Sequence, residues 1–209
     1  SAVIRAWETV SRLFVRPDVA IFHTFRRPPY GGANQFLLAL RGELCRRGFR
    51  VAANTITRET RACLLDSYAF DYRRLRRMAH PGCRMVHRVD GPLGLYRGVD
   101  DGTDRRVFAI NQETADVTVF QSIYSREGYR ALGLTFKDPL VIMNAVDPTI
   151  FCPSDHPLGF QGRKVRLIST SWSSNPNKGA ATYPWLEEHL DWDRFEYTFV
   201  GQSPHRIER

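Results

Sequence analysis

Short apolar runs alternate with amphipathic segments along most of this chain. Val19-Ala20-Ile21-Phe22 is followed by Gly31-Gly32, and then by Ala33, Phe36, Leu37, Leu40 and Leu44 at three- and four-residue spacing. That spacing predicts a helix beginning near Ala33, with Asn34, Gln35, Arg41 and Glu43 away from the apolar face. Arg46 and Arg47 suit the negative end of its dipole, and Gly48 is a natural stop. A β-rich run from Phe49 to Ile56 follows. Strand, glycine turn, helix and strand together predict a right-handed βαβ unit of a parallel sheet.

The same alternation continues downstream. Residues 2–14 read as a helix ended by Pro17, and residues 59–79 as a helix whose Arg73, Arg74, Arg76 and Arg77 form a solvated face. Arg84–Val89 reads as a strand entering the turn Asp90-Gly91-Pro92. Further elements are a helix over 105–114, a strand over 117–120, a helix over 125–132 and a strand over 140–143. After a link without periodicity, a fresh unit opens with the strand Val165–Ile168. It passes through a polar loop from Ser171 to Gly179, a helix from Trp185 to Leu190 and a strand from Tyr197 to Gly201. The fold class expected is α/β: a Rossmann-like parallel sheet with flanking helices, followed by the start of a second Rossmann-like unit. The expected organisation is a helix over 1–17, a first domain over 18–152, a linker over 153–163 and an incomplete second domain over 164–209.

Composition narrows the class. A hydrophobic fraction of 43% with 12% aromatic residues excludes general disorder. No apolar stretch is long enough to cross a bilayer, and Arg5, Glu8 and Arg12 interrupt any signal-peptide core, so a cytoplasmic location is expected. The net charge of +8 and a pI near 9.7 favour an anionic partner: nucleic acid, an acidic membrane surface or a phosphorylated small molecule. The cysteines Cys45, Cys63, Cys83 and Cys152 form no C-x-x-C pair and read as reduced thiols. His80, Cys83 and His87 offer three metal ligands without a fourth, so no metal is expected. The first turn carries no G-x-G-x-x-G, Gly91, Gly94 and Gly98 have the wrong spacing for one, and no Walker motif is present. No helix-turn-helix, RRM or zinc-finger pattern accompanies the basic charge, which leaves a nucleic-acid-binding module as the alternative from a different class.

Three local patterns occur in order. They are Tyr30-Gly31-Gly32-Ala33-Asn34-Gln35-Phe36 after the first strand, Asn144-Ala145-Val146-Asp147-Pro148-Thr149-Ile150-Phe151-Cys152-Pro153 at the junction, and Lys178-Gly179 after the first strand of the new unit. Together they resemble the family-four retaining glycosyltransferases of the GT-B fold, over residues 18–209. The junction pattern is the most specific of the three.

The resemblance implies transfer of a sugar from a nucleotide-diphosphate sugar to a sugar or lipid-linked acceptor, with retention and without a required metal or cofactor. It places Gly31, Gly32, Lys178 and Gly179 on the donor, where backbone amides and a fixed cation would meet the leaving diphosphate. It places His87 and Asp90 in the catalytic region, His87 near the transferred sugar and Asp90 orienting an acceptor hydroxyl. Arg26, Arg27 and Arg88 would contact an anionic acceptor or lipid headgroup, and the arginine-rich helix an acidic membrane, at the inner face of which the protein would sit. No nucleic-acid partner is expected on this reading. Ser171-Trp172 stands where the family commonly carries a glycine-arginine pair, and the second-domain glutamates have no counterpart before Arg209. The expectation is therefore a polypeptide that ends partway through its second domain and is inactive alone. A GT-B sugar-nucleotide epimerase shares the architecture and is the alternative within this class.

Overall fold

A computed structural model describes residues 16–27, 31–153, 163–172 and 179–203. The predicted helix over 2–14 lies outside the described residues. The chain divides into two compact units, residues 1–145 and 146–209, so the division falls at Ala145, ahead of the predicted end of the first domain.

The first unit is built on a sheet of six parallel strands in the order β2-β1-β3-β4-β5-β6. The strands are β1 (Val19–Phe22), β2 (Val51–Ala53), β3 (Ala62–Asp66), β4 (Arg84–Val89), β5 (Val117–Phe120) and β6 (Pro139–Val141). Helix α1 (Gly32–Arg46) joins β1 to β2, and α2 (Tyr72–Met78) joins β3 to β4. The short α3 (Leu93–Arg97) and α4 (Thr103–Thr114) lead to β5, and α5 (Ile123–Ala131) leads to β6. This is the Rossmann-like arrangement the alternation predicts.

One expectation fails. Residues 59–79 are not a single helix: they hold β3, a turn and then α2. The run Ala62-Cys63-Leu64-Leu65 is too short for its periodicity to separate a buried strand from a helical turn, and the arginines after it extend the helical pattern backwards. Asp71 caps α2 by accepting a hydrogen bond from Arg74 N at 2.9 Å, which fixes where the helix begins. Helix α3 is a second element absent from the sequence reading.

Strand alternation divides the core between two faces. Ala20, Phe22, Cys63, Leu65 and Met85 pack with Leu75 of α2 and Ile110 of α4. Ile21, Val51 and Ala53 pack with Leu37 of α1, and the half-buried Phe36 and Leu44 join them. A third cluster, Val89, Val107, Phe120, Tyr129 and Phe136, closes the β4–β5 end. Helix α1 stops as its sequence predicts: Gly48, at φ 87°, donates to Cys45 O, and Phe49 N donates to Leu44 O, a Schellman closure.

The second unit pairs β7 (Val165–Trp172) with β8 (Phe195–Gln202) in parallel and connects them through α6 (Thr182–His189). Strand β7 runs on through Ser171 and Trp172, where the sequence reading begins a loop, because ladder pairing to Gly201 and Gln202 continues to its end. Half-buried and exposed residues alternate along its whole length.

Candidate functional site

In an open parallel sheet, ligands sit beyond the carboxyl ends of the strands at the point where strand order reverses. Here that point lies between β1 and β3. Two asparagine side chains fix the loop leaving β1. Asn54 accepts from His23 N at 3.0 Å and donates to His23 O at 3.0 Å. Asn34, on α1, accepts from Arg26 N at 2.9 Å and donates to Arg26 O at 3.0 Å. Each amide thus supplies both partners that a neighbouring strand would give. Asn34, which the helical spacing places away from the apolar face, is almost completely buried.

Beyond this loop Gly31 holds φ 80° and ψ 110° as the residue before α1, a conformation that disfavours any side chain. Around Gly32 a Cβ would meet no atom within 4 Å. The glycine pair therefore opens a 15-residue helix at the switch point, with open space where a side chain on Gly32 would begin.

Arg88, at the carboxyl end of β4 and only 4% exposed, is the centre of a polar cluster. Its NH1 donates to Asp66 Oδ1 at 2.8 Å and to Asp90 Oδ1 at 3.0 Å. Its NH2 donates to Gln121 Oε1 at 2.9 Å and, at the longer distance of 3.4 Å, to Asn144 Oδ1. Asn144 Nδ2 in turn donates to Gln121 Oε1 at 3.0 Å. Phe36 of α1 lies under the guanidinium, 4.3 Å from ring centroid to Cζ. His23 Nδ1 is buried without a hydrogen bond, 3.4 Å from Asp66 Oδ2. Two carboxylates face one guanidinium, and burial, followed by the nearby Asp66 charge, raises the Asp90 pKa while Arg88 opposes the shift.

Ser67 turns the chain out of β3 at φ 46°. Its carbonyl faces His87 Nε2 at 2.8 Å, and its hydroxyl accepts from Asp90 N at 3.1 Å. His87 is 0% exposed, on the opposite face of β4 from Arg88. With Nε2–H donating to Ser67 O, its Nδ1 accepts from Asn111 Nδ2 at 3.2 Å, so the neutral ring satisfies both neighbours. Burial pushes its pKa down to about 4, against weaker upward pulls from Ser67 and Asp66. Asn111 also donates to Thr118 Oγ1 at 2.8 Å and accepts from Lys137 N at 3.0 Å, completing a buried network.

The residues singled out by sequence are distributed as follows. Gly31, Gly32, Arg88 and Asp90 lie at the carboxyl edge of the sheet, while His87 is enclosed beneath it. Arg26 and Arg27 are exposed on the β1–α1 loop. Arg88 spends its guanidinium inside the protein, which leaves it organising side chains rather than facing a ligand. Lys178 lies outside the described residues. Gly179, at φ 82°, precedes α6, with Tyr183 Oη 3.3 Å from where its Cβ would stand. Sequence reasoning missed His23, Asn54, Asp66, Ser67 and Gln121. Asn54, Ser67 and Gln121 each directly follow a strand, a signal that for Ser67 required β3 to be recognised. Among the described residues no group of three or more His, Cys, Asp or Glu side chains is arranged to hold a metal ion. No described helix is long and apolar enough to cross a membrane. No protein-family model and no curated protein matches the chain.

Proposed function

We propose that this chain serves a retaining glycosyltransferase of the family-four, GT-B kind, moving a sugar from a nucleoside-diphosphate donor to an acceptor. The observation that carries the reading is the Gly31-Gly32 pair, opening α1 at the switch point with free space beyond Gly32. Amides of the first helical turn lack intrahelical acceptors and carry the positive end of the dipole, a fit for a diphosphate. The junction motif supports the same reading, because its first residue, Asn144, bonds Arg88 and Gln121 of this edge. In this proposal Gly31 and Gly32 meet the donor, and Asp90 orients the acceptor hydroxyl. His87 positions Ser67, and through it Asp90, from the buried side.

The test uses calorimetric titration of the chain with UDP-glucose, GDP-mannose and ADP-glucose, alongside Gly32→Leu. A Cβ at Gly32 meets nothing within 4 Å, so the variant should fold, which its melting temperature checks. Saturable binding of at least one nucleotide sugar is expected, weakened about tenfold or more in G32L, whose side chain stands in the open space through which the diphosphate would reach the first-turn amides. Absence of nucleotide-sugar binding, or equal binding by G32L, would overturn the reading.

A further inference from the structure

Helix α5 and the loop that follows it leave a cavity of about 360 Å³ beside β5 and β6. That is within the range of small-molecule sites, about 300–1,000 Å³. Phe120 lines it and packs with Val89, which strand alternation sets on the face of β4 away from Arg88. The cavity is therefore separate from the polar cluster at the carboxyl edge.

Four of its lining residues are apolar: Phe120, Leu134, Phe136 and Pro139. Phe120 and Phe136 are 1% and 5% exposed, and their rings meet edge to face with centroids 5.3 Å apart. Phe136 is fixed in turn by Phe108 and Tyr129, whose centroids lie 5.4 and 4.8 Å away. The wall is thus a set of rings held at the angles aromatic pairs prefer, ready to take another flat ring.

The charged lining comes from one stretch of α5: Arg126, Glu127 and Arg130. Arg126 and Arg130 are four residues apart, so both guanidiniums stand on one side of the helix. Glu127 is shared between them. Its Oε1 accepts from Arg126 Nε at 2.9 Å, and its Oε2 lies 3.6 Å from Arg130 Nη1. Among the described residues the terminal nitrogens of Arg126 and the side-chain nitrogens of Arg130 make no hydrogen bond. Lys137 and Asp138, next along the loop, add one charge of each sign. The surplus is one positive charge, and it sits at the rim, because the two arginine side chains are 41% and 80% exposed.

We propose that this cavity binds a small aromatic monocarboxylate. The ring lies against Phe120 and Phe136, and the carboxylate meets Arg126 and Arg130, whose planar N–H forks match it. A neutral guest leaves the surplus charge unanswered, and a cation opposes it. The site uses none of the residues assigned to donor or acceptor, so it stands or falls apart from the transferase reading.

Calorimetric titration of the full chain tests this with α-naphthoate, α-naphthamide and α-naphthylmethylamine, one ring system carrying a negative, a neutral and a positive head group. Saturable binding of the naphthoate is expected, about fivefold or more tighter than the amide, with the amine weakest. Added salt should narrow these differences. Arg130→Gln should weaken naphthoate binding severalfold, whereas Glu127→Gln should tighten it, a gain that a merely structural role would not produce. Thr135→Trp, at an exposed position in the lining, fills the space and should abolish binding. Melting temperatures check that the three variants fold. No naphthoate binding, equal affinity for the amide, weaker binding in E127Q or full affinity in T135W would overturn the proposal.

Discussion

His87 and Arg88 are consecutive on β4, yet they serve opposite faces, because side chains alternate along a strand. Burial and the Asn111 donor both favour neutral His87, and protonating Nδ1 would set a proton against that donor. The folded pKa lies below the ordinary one, so between about 4 and 6.5 the unfolded chain binds more protons. The stabilisation is complete above pH 6.5 and is lost as pH falls through that window, by an amount of order 3 kcal/mol. Asp90, with its raised pKa, acts in the opposite sense, so the histidine's share is read as the difference between the native protein and a variant lacking it. Denaturant titrations across that window should show stability rising with pH in the native protein, with that slope reduced in His87→Gln. Neither the burial of His87 nor the internal use of Arg88 was legible in residue order. Strand phase can be read from alternation, but which face another element covers depends on the helices that pack there.

Among the helices, two glycines give opposite expectations for one substitution. Gly42 lies within α1, and a Cβ there meets nothing within 4 Å. Gly42→Ala should therefore stabilise the protein by about 0.5–1 kcal/mol through helix propensity alone. Gly128 lies within α5, and its Cβ would stand 2.8 Å from Pro92 Cγ. A rigid pyrrolidine ring yields little, so Gly128→Ala should destabilise by about 1–3 kcal/mol despite the same propensity gain. Thermal or urea unfolding of the two variants checks the opposition in sign. Element boundaries follow a similar rule. Helix α1 was readable because its apolar stripe and glycine stop agree, and β5 because four apolar-rich residues lie between clear breaks. Strand β3 was not readable, since five residues rising into an arginine-rich segment carry too little pattern to oppose a helix. Losing β3 also hid Asp66 and Ser67, two residues of the candidate site.

For the molecule as a whole, the two units have separate cores. Six strands and their helices enclose the first, whereas in the second Tyr197 is buried beside a Tyr183–Phe199 ring pair whose centroids lie 4.8 Å apart. Tyr197→Ala removes the largest buried side chain described there and should cost about 3–5 kcal/mol locally. Hydrogen exchange should then lose protection across β7 and β8 while β1, β3 and β4 keep theirs. Loss of protection throughout the chain would show instead that the two cores unfold as one.

The order of apolar runs determined the α/β class, the parallel sense of the sheet and the glycine-led entry to α1, because each depends on neighbours a few residues away. The sheet order, the asparagine clamps on the β1–α1 loop and the convergence of Asp66, Arg88, Asp90, Gln121 and Asn144 were decided by tertiary structure alone. Those residues come from the ends of separate strands, up to 78 positions apart along the chain from Asp66 to Asn144. Only closure of the sheet brings their polar atoms within hydrogen-bond distance, and only then does burial leave a charged side chain no choice but to pair.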